Sequence, residues 1–171
     1  MKLAYRLLAL IPLFGLIGCN LNMKPLDEIS DSTYWTSSND FQLAVNDLYW
    51  GLKNAGLYTD INSDIAFGRG ADDVSDGSYL APTTSNDWSE PWKYIQSCNY
   101  ILTKADESGL TDSEIGRWKG EALFFRAYNY WKLMKEYGGV PKILSVLSTD
   151  SEELYSSRVS QQEIAEQMND L

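Results

Sequence analysis

Thr111–Pro141 reads TDSEIGRWKGEALFFRAYNYWKLMKEYGGVP, and its punctuation decides the fold. Thr111 followed three residues later by Glu114 is a capping box, in which each side chain satisfies an otherwise unbonded amide at a helix start. Gly138-Gly139 with Pro141 just beyond is a stop signal. Between them the spacing predicts one long helix running to about Tyr137. Its apolar residues, from Ile115 and Trp118 through Phe124, Phe125, Tyr128 and Trp131 to Tyr137, occupy more than one face. A helix apolar nearly all round must be covered on several sides, so this one is expected at the centre of a helical stack.

Working outward, the preceding segment predicts a second helix from near Asp87 to Gly109. Asp87 and Glu90 have capping-box spacing, and Pro91 is tolerable where first-turn amides lack partners. Trp88, Trp92, Ile95, Cys98, Ile101, Leu102 and Ala105 line one side. Earlier still, Ser37 or Ser38 caps a helix whose stripe is Phe41, Ala44, Val45, Leu48 and Leu52. Gly51 costs that helix about 1 kcal/mol, and Asn54 or Gly56 can end it. Tyr34 and Trp35 are expected to dock onto the domain, since large aromatics lose much by staying in water. Downstream, Lys142–Leu147 reads as short strand or loop, and Ser160 with Glu163 opens a last helix bearing Ile164, Met168 and Leu171. That stripe has no partner or C-cap in the sequence. We therefore expect an N-terminal part of a longer protein, in which Ile164, Met168 and Leu171 of the isolated fragment face water and folding is poor.

Composition removes several functions. The 171 residues include no histidine and two cysteines, so Ser/His/Asp and Cys/His nucleophiles and His-containing zinc sites are absent. A net charge of −10 without a cluster of Lys and Arg argues against nucleic acid. Charged residues at 22% and hydrophobic residues at 44% are ordinary for a globular chain.

The N-terminus reads as an address. Lys2 and Arg6 precede an apolar run, Leu7–Ile17, that is too short for a bilayer, which needs ~20 residues. Leu16-Ile17-Gly18-Cys19 resembles the lipobox of bacterial lipoproteins, in which the thiol carries the lipid. Residues 1–18 are thus the expected signal peptide, Cys19 the lipidation site, and 19–36 a polar tether reaching at most about 55–60 Å. With Cys19 acylated, Cys98 has no disulfide partner.

The long irregular stretch Leu57–Asp87 is where chemistry could sit. Sugar rings stack their C–H faces on flat aromatics while their hydroxyls need carboxylate, amide or guanidinium partners. Tyr58, Asp64, Phe67, Arg69, Asp72, Asp73, Tyr79 and Asn86 mix these types, and Trp88 stands at a helix entrance beside them. Each also has a plain structural role open to it, an aromatic tucked on the scaffold or an acid solvating a turn. Trp92, Trp118, Phe125 and Trp131, on helices, read as core. Asp60, Asn62 and Asp64 have the opening spacing of a calcium loop, but Ile65 replaces the required Gly and Ala71 the closing Glu, so no metal is assigned. Asp72 and Asp73 with Asp64 could supply a hydrolase's acid and base, although loop aspartates more often solvate turns. Glu121 and Arg126, five apart, do not share a helix face, so Arg126 needs a structural partner from elsewhere.

WSEPWKYIQSCNYIL (88–102) followed by GEALFFRAYNYWKLMKEYGGVP (120–141) resembles the signature of SusD-like (SusD/RagB) lipoproteins of Bacteroidetes. YWTSSNDFQLAVNDLYWGL (34–52), SRVSQQEIAEQMNDL (157–171) and the lipobox are similar to the family's matching segments. Leu123 departs from the basic residue usual after GEA, and family members continue for several hundred residues. The resemblance implies an all-α, tetratricopeptide-like helical superhelix with long irregular loops, residues 37–171 being its N-terminal helical domain, truncated at the C-terminal end. It implies a non-catalytic lipoprotein without cofactor, anchored in the outer membrane, that binds oligosaccharides and delivers them to a SusC-like TonB-dependent transporter. It adds weight to Asp64, Arg69, Asp72 and Asp73 as ligand residues. Peptide binding on the same scaffold, and a lipoprotein glycoside hydrolase, are the alternatives.

Overall fold

The computed structural model describes residues 31–52, 70, 73–74 and 76–169. The signal peptide, Cys19, the Asp60–Ala71 loop, the Asn54 and Gly56 stops and Leu171 lie outside the described residues, apart from Gly70. The chain divides into two compact units, Met1–Tyr34 and Trp35–Leu171. In the first, the described element is the single turn α1 (Asp31–Tyr34). The second carries α2 (Ser38–Leu48), continued by a 3₁₀ turn Tyr49–Leu52, then α3 (Asn86–Glu107), α4 (Asp112–Tyr137), a 3₁₀ turn Glu152–Tyr155 and α5 (Gln161–Asn169). There is no strand among the described residues, so the all-α expectation holds. No described helix is long and apolar enough to cross a membrane.

Side-chain pairs set the register of α3 against α4. Trp88 meets Tyr137 at 5.0 Å between ring centroids and Trp92 meets Tyr130 at 5.8 Å. Farther along, Arg126 donates to Asn99 at 3.0 Å and Lys119 to Asp106 at 3.2 Å. Residue numbers rise on one helix as they fall on the other, which defines an antiparallel hairpin closed by Ser108–Thr111. Gly109 takes φ +71° in that connection, a conformation side chains disfavour.

Helix α2 packs across the lower part of this hairpin. Phe41, Val45 and Leu48 join Cys98, Ile101, Ala105, Ile115, Ala122 and Phe125 in one apolar cluster. Trp35 docks as expected, against Phe41 at 5.0 Å and Tyr100 at 5.8 Å. Trp118, half-buried, donates its indole N–H to Ser38, whose hydroxyl donates to the Glu114 carbonyl and ties the starts of α2 and α4 together. The tail of α2 corrects the sequence reading, because it tightens to 3₁₀ at Tyr49 rather than continuing as α-helix. Gly51 has a packing reason: a Cβ there would stand 3.2 Å from the Tyr94 ring.

A second cluster lies at the other end of the hairpin, where Ile95, Tyr130 and Leu133 meet Val140 and Ile164. Here the partner of the helices is an extended segment. Lys142–Leu147 is a loop, held by α3 and α4. The Tyr130 hydroxyl accepts from the Ile143 amide at 2.7 Å and donates to its carbonyl at 2.8 Å. Asn99 Nδ2 donates to the carbonyls of Ile143 at 3.2 Å and Ser145 at 2.9 Å. Gln96 takes both the amide and the carbonyl of Leu147, each at 3.2 Å. These side chains satisfy backbone groups that no helix or sheet ladder serves.

Three further expectations are corrected. The cap of α3 is Ser85, whose hydroxyl accepts from the Asp87 amide at 3.1 Å, so Asp87 and Glu90 form no capping box. Pro91 consequently lies in the second turn, buried, where it removes the donor for the Asp87 carbonyl. Helix α4 is not covered all round: Phe124 is 60% and Trp131 51% exposed, which removes Trp131 from the core. With Tyr128 they form a ring ladder at 6.4 Å and 5.8 Å. Ile164 is fully buried rather than facing water, and Met168 packs beside it on the second cluster. The GGVP turn supplies the seat for α5. Gly138 takes φ +73° and donates to the Met134 carbonyl, while a Cβ on Gly139 would run into the Val159 carbonyl oxygen. Val159 donates to the Val140 carbonyl at 3.0 Å, and Ser160 caps α5 through the Glu163 amide.

Candidate functional site

Ser85 starts α3 one turn before Trp88, and the Tyr137 hydroxyl donates to the Ser85 hydroxyl at 3.2 Å. The end of α4 is thereby joined to the start of α3. Trp88 stands edge-on to Trp92 at 5.7 Å and to Tyr137 at 5.0 Å, so its indole is held on two sides. From the chain beyond the GGVP turn, Arg158 brings its guanidinium 5.3 Å from the Trp88 ring. Its Nη1 donates at 3.4 Å to the carbonyls of both Tyr137 and Gly139, which anchors the side chain over the ring.

These residues border a cleft of about 630 Å³, within the range of small-molecule sites. Pro82, Thr83, Thr84, Ser85, Asn86 and Ser89 complete the wall. Four hydroxyls, an amide and a guanidinium thus surround one indole and one phenol ring. The arrangement offers a flat apolar surface for a sugar's C–H face and donors and acceptors around it for hydroxyls. It holds no nucleophile with an adjacent base, and among the described residues no cluster of acids or cysteines is grouped to hold a metal.

Of the sequence-derived candidates, Trp88 and Asn86 come together at this cleft. Asp73 and Tyr79 lie in the turn before it. The Tyr79 amide donates to the Asp73 carbonyl at 2.9 Å, and the Tyr79 ring is 58% exposed. Neither lines the cleft. Within the same turn the Ser78 hydroxyl and amide hold the Asp76 carboxyl below its usual range. Cys19, Tyr58, Asp64, Phe67, Arg69 and Asp72 lie outside the described residues. Sequence reasoning missed Tyr137, Arg158 and the Thr83–Ser85 hydroxyls. The hydroxyl run before a helix start was a visible signal. Arg158, isolated among polar residues seventy positions beyond Trp88, carried none.

Away from the cleft, Arg126 finds the structural partner expected from elsewhere, Asn99 on α3, while Glu121 pairs with Arg117 and accepts from the Tyr49 hydroxyl. Burial lowers the Arg126 pKa and pushes the free Cys98 thiol beside it up to about 12. Such a thiol is inert at neutral pH, because the thiolate is the reactive form.

A family model for SusD-like proteins, described as starch-binding associating with outer membrane, matches residues 24–170. SusD-like protein P38 of Formosa agariphila is 28% identical over 92% of this chain and 33% of its own length. SusD-like protein P25 of the same organism is 24% identical over 82% of this chain and 31% of its own. A crystal structure of a SusD-like protein from Bacteroides fragilis superposes with a TM-score of 0.59 at 25% identity, covering 86% of this chain and 30% of that one. The chain spans about a third of the length of the curated relatives it matches. The helical hairpin, its flanking helices and the agreement along almost the whole sequence lead to one conclusion: this chain belongs to the SusD-like family and has its tetratricopeptide-like helical fold.

Proposed function

We propose that this chain binds an oligosaccharide at the Trp88 cleft as part of nutrient uptake at the outer membrane. The observation that carries the reading is the half-buried Trp88 indole brought into one cleft with Arg158, Asn86 and the Thr83–Ser85 hydroxyls, in a chain whose family is described as starch-binding. Residues 1–18 direct export, Cys19 carries the acyl chains, residues 19–36 form the tether, and 37–171 form the helical domain. More than one acyl chain makes the anchor stable. The bound glycan passes unaltered to a SusC-like TonB-dependent transporter. Asp64, Arg69, Asp72, Asp73 and Tyr79 are proposed to add to the ligand surface from the loop before α3.

Isothermal titration against starch, laminarin, xylan, pectin and mannan tests this. Heat is expected with at least one polysaccharide, and Trp88→Ala is expected to weaken that binding at least tenfold. Silence from every glycan overturns the reading, and release of reducing sugar would turn it into a hydrolase. Labelled palmitate should enter the protein in a bacterial host and be lost in Cys19→Ala.

A further inference from the structure

Trp88 borders two clefts. A second cleft of about 630 Å³ is walled by Trp92, Ile95, Pro141, Ile143, Leu147 and Leu154, and its charged and hydroxyl lining, Lys93, Ser148, Thr149 and Glu153, is exposed. Trp88 lines both spaces, so a ligand held beside this residue in the first borders the second. Their chemistry is opposite. In the second cleft the wall segment has its polar backbone already engaged. The Ile143 amide and carbonyl are taken by Tyr130, the Ser145 carbonyl by Asn99 and both Leu147 groups by Gln96. Beneath the exposed Lys93, Ser148, Thr149 and Glu153 few donors or acceptors remain for hydroxyls, and a sugar sunk among Ile95, Ile143 and Leu147 would lose its water with little compensation. An apolar group would lose nothing polar and would cover Leu154, which is 48% exposed on the rim. The wall is also built in advance, since three side chains from two helices clamp it before any ligand arrives.

We propose that this second cleft receives an acyl or aryl substituent carried by the glycan, so that the ligand class is an acylated or aryl-substituted oligosaccharide. The proposal rests on the glycan reading of the Trp88 cleft and adds a specificity element to it. Leu154 and Thr149 are the residues to change, because both lie on the exposed rim and neither belongs to the packed clusters.

The probes are the methyl and phenyl glycosides of glucose, galactose, xylose and maltose, with phenol as control, followed by saturation-transfer NMR and tryptophan fluorescence. For at least one sugar the phenyl glycoside is expected to bind at least tenfold more tightly than the methyl glycoside, and more tightly than phenol. Leu154→Asp and the cleft-filling Thr149→Trp are each expected to bring the phenyl glycoside down to the methyl value, leaving the methyl glycoside unchanged. Equal affinities for the two glycosides, or a difference that survives both substitutions, overturn the substituent site and leave the glycan reading standing. Phenol binding as tightly as its glycosides overturns the amphipathic ligand. Silence from every glycoside, together with silence from the polysaccharide panel, overturns both readings.

Discussion

The two ends of the α3–α4 hairpin are held by different physics. At the α2 end, helix packs on helix, helix ladders and caps serve the backbone, and the cluster of Phe41, Val45, Cys98, Ile115 and Phe125 is apolar. At the GGVP end, the helices pack against an extended segment that brings unpaired amides and carbonyls into the interior. Asn99 and Tyr130 are buried there as partners of that segment, and Arg126 is buried behind them, donating to Asn99. Cys98 and Asn99, adjacent on α3, belong one to each regime. The lesson is that Asn99 and Tyr130 mark where non-helical chain has been taken into the core, since buried backbone groups must find partners.

The comparison can be broken most severely at Asn99. Asn99→Leu should destabilise the fold by about 3–5 kcal/mol in urea denaturation, since it strips the Arg126 guanidinium and the Ser145 carbonyl of their partner and the Ile143 carbonyl of one of its two. Adding Arg126→Met should restore part of the loss, because an apolar replacement of the whole pair removes the stranded charge. A loss no larger than that of Cys98→Ala would erase the distinction between the two ends.

Alkaline pH probes both ends at once. Burial pushes Cys98 from 9.0 to about 12 and Tyr130 from 10.0 to about 12. Both groups bind their proton more tightly folded than unfolded, so their contribution is complete below about pH 9. It is lost progressively as pH rises toward about 12. Thermal melts should therefore decline first through Cys98 and, above pH 10, through Tyr130 as well. Cys98→Ala should flatten the curve between pH 9 and 10 and leave a decline above it.

Gly139→Ala sharpens the comparison at the GGVP end. The new methyl meets the Val159 carbonyl, a backbone atom that cannot turn away, so the segment leading into α5 must shift at about 1–3 kcal/mol. Hydrogen exchange should quicken at Val159 and Ile164 and stay unchanged at Val45. The smallest effect is expected at the opposite end, where Thr111→Ala should cost about 1 kcal/mol by removing the hydroxyl that meets Glu114 at 2.8 Å. The Glu114 carboxyl is held below its usual range by the Thr111 amide and hydroxyl. Its help is present above about pH 4.5 and fades as pH falls through the lowered value, so the first turn of α4 should fray in acid. A circular dichroism titration of the wild type and Thr111→Ala would follow it.

What was legible in the chain follows from range. Capping pairs, glycine stops and apolar stripes act over a few residues, so Thr111 with Glu114, Gly138, and the Phe41–Val45–Leu48 stripe could be read directly. The Ser85 cap is hidden because Asp87 and Glu90 offer an equally good local pattern; in the structure the Asp87 amide bonds the Ser85 hydroxyl, on which Tyr137 also docks. Likewise Phe124 and Trp131 looked like core by type, and the direction in which each turn of α4 faces made them surface.

By itself the sequence determined a helical chain of this family, with its helix starts and stops, because those depend on hydrogen bonds and hydrophobic spacing between near neighbours. Tertiary structure alone decided that Asn99 and Tyr130 clamp an extended segment, and that Arg158 comes to rest beside Trp88. It also set Trp88 in the lining of both a polar and a largely apolar cleft. Contacts between residues 13 to 70 positions apart leave no local periodicity, and only the closed hairpin brings them within reach.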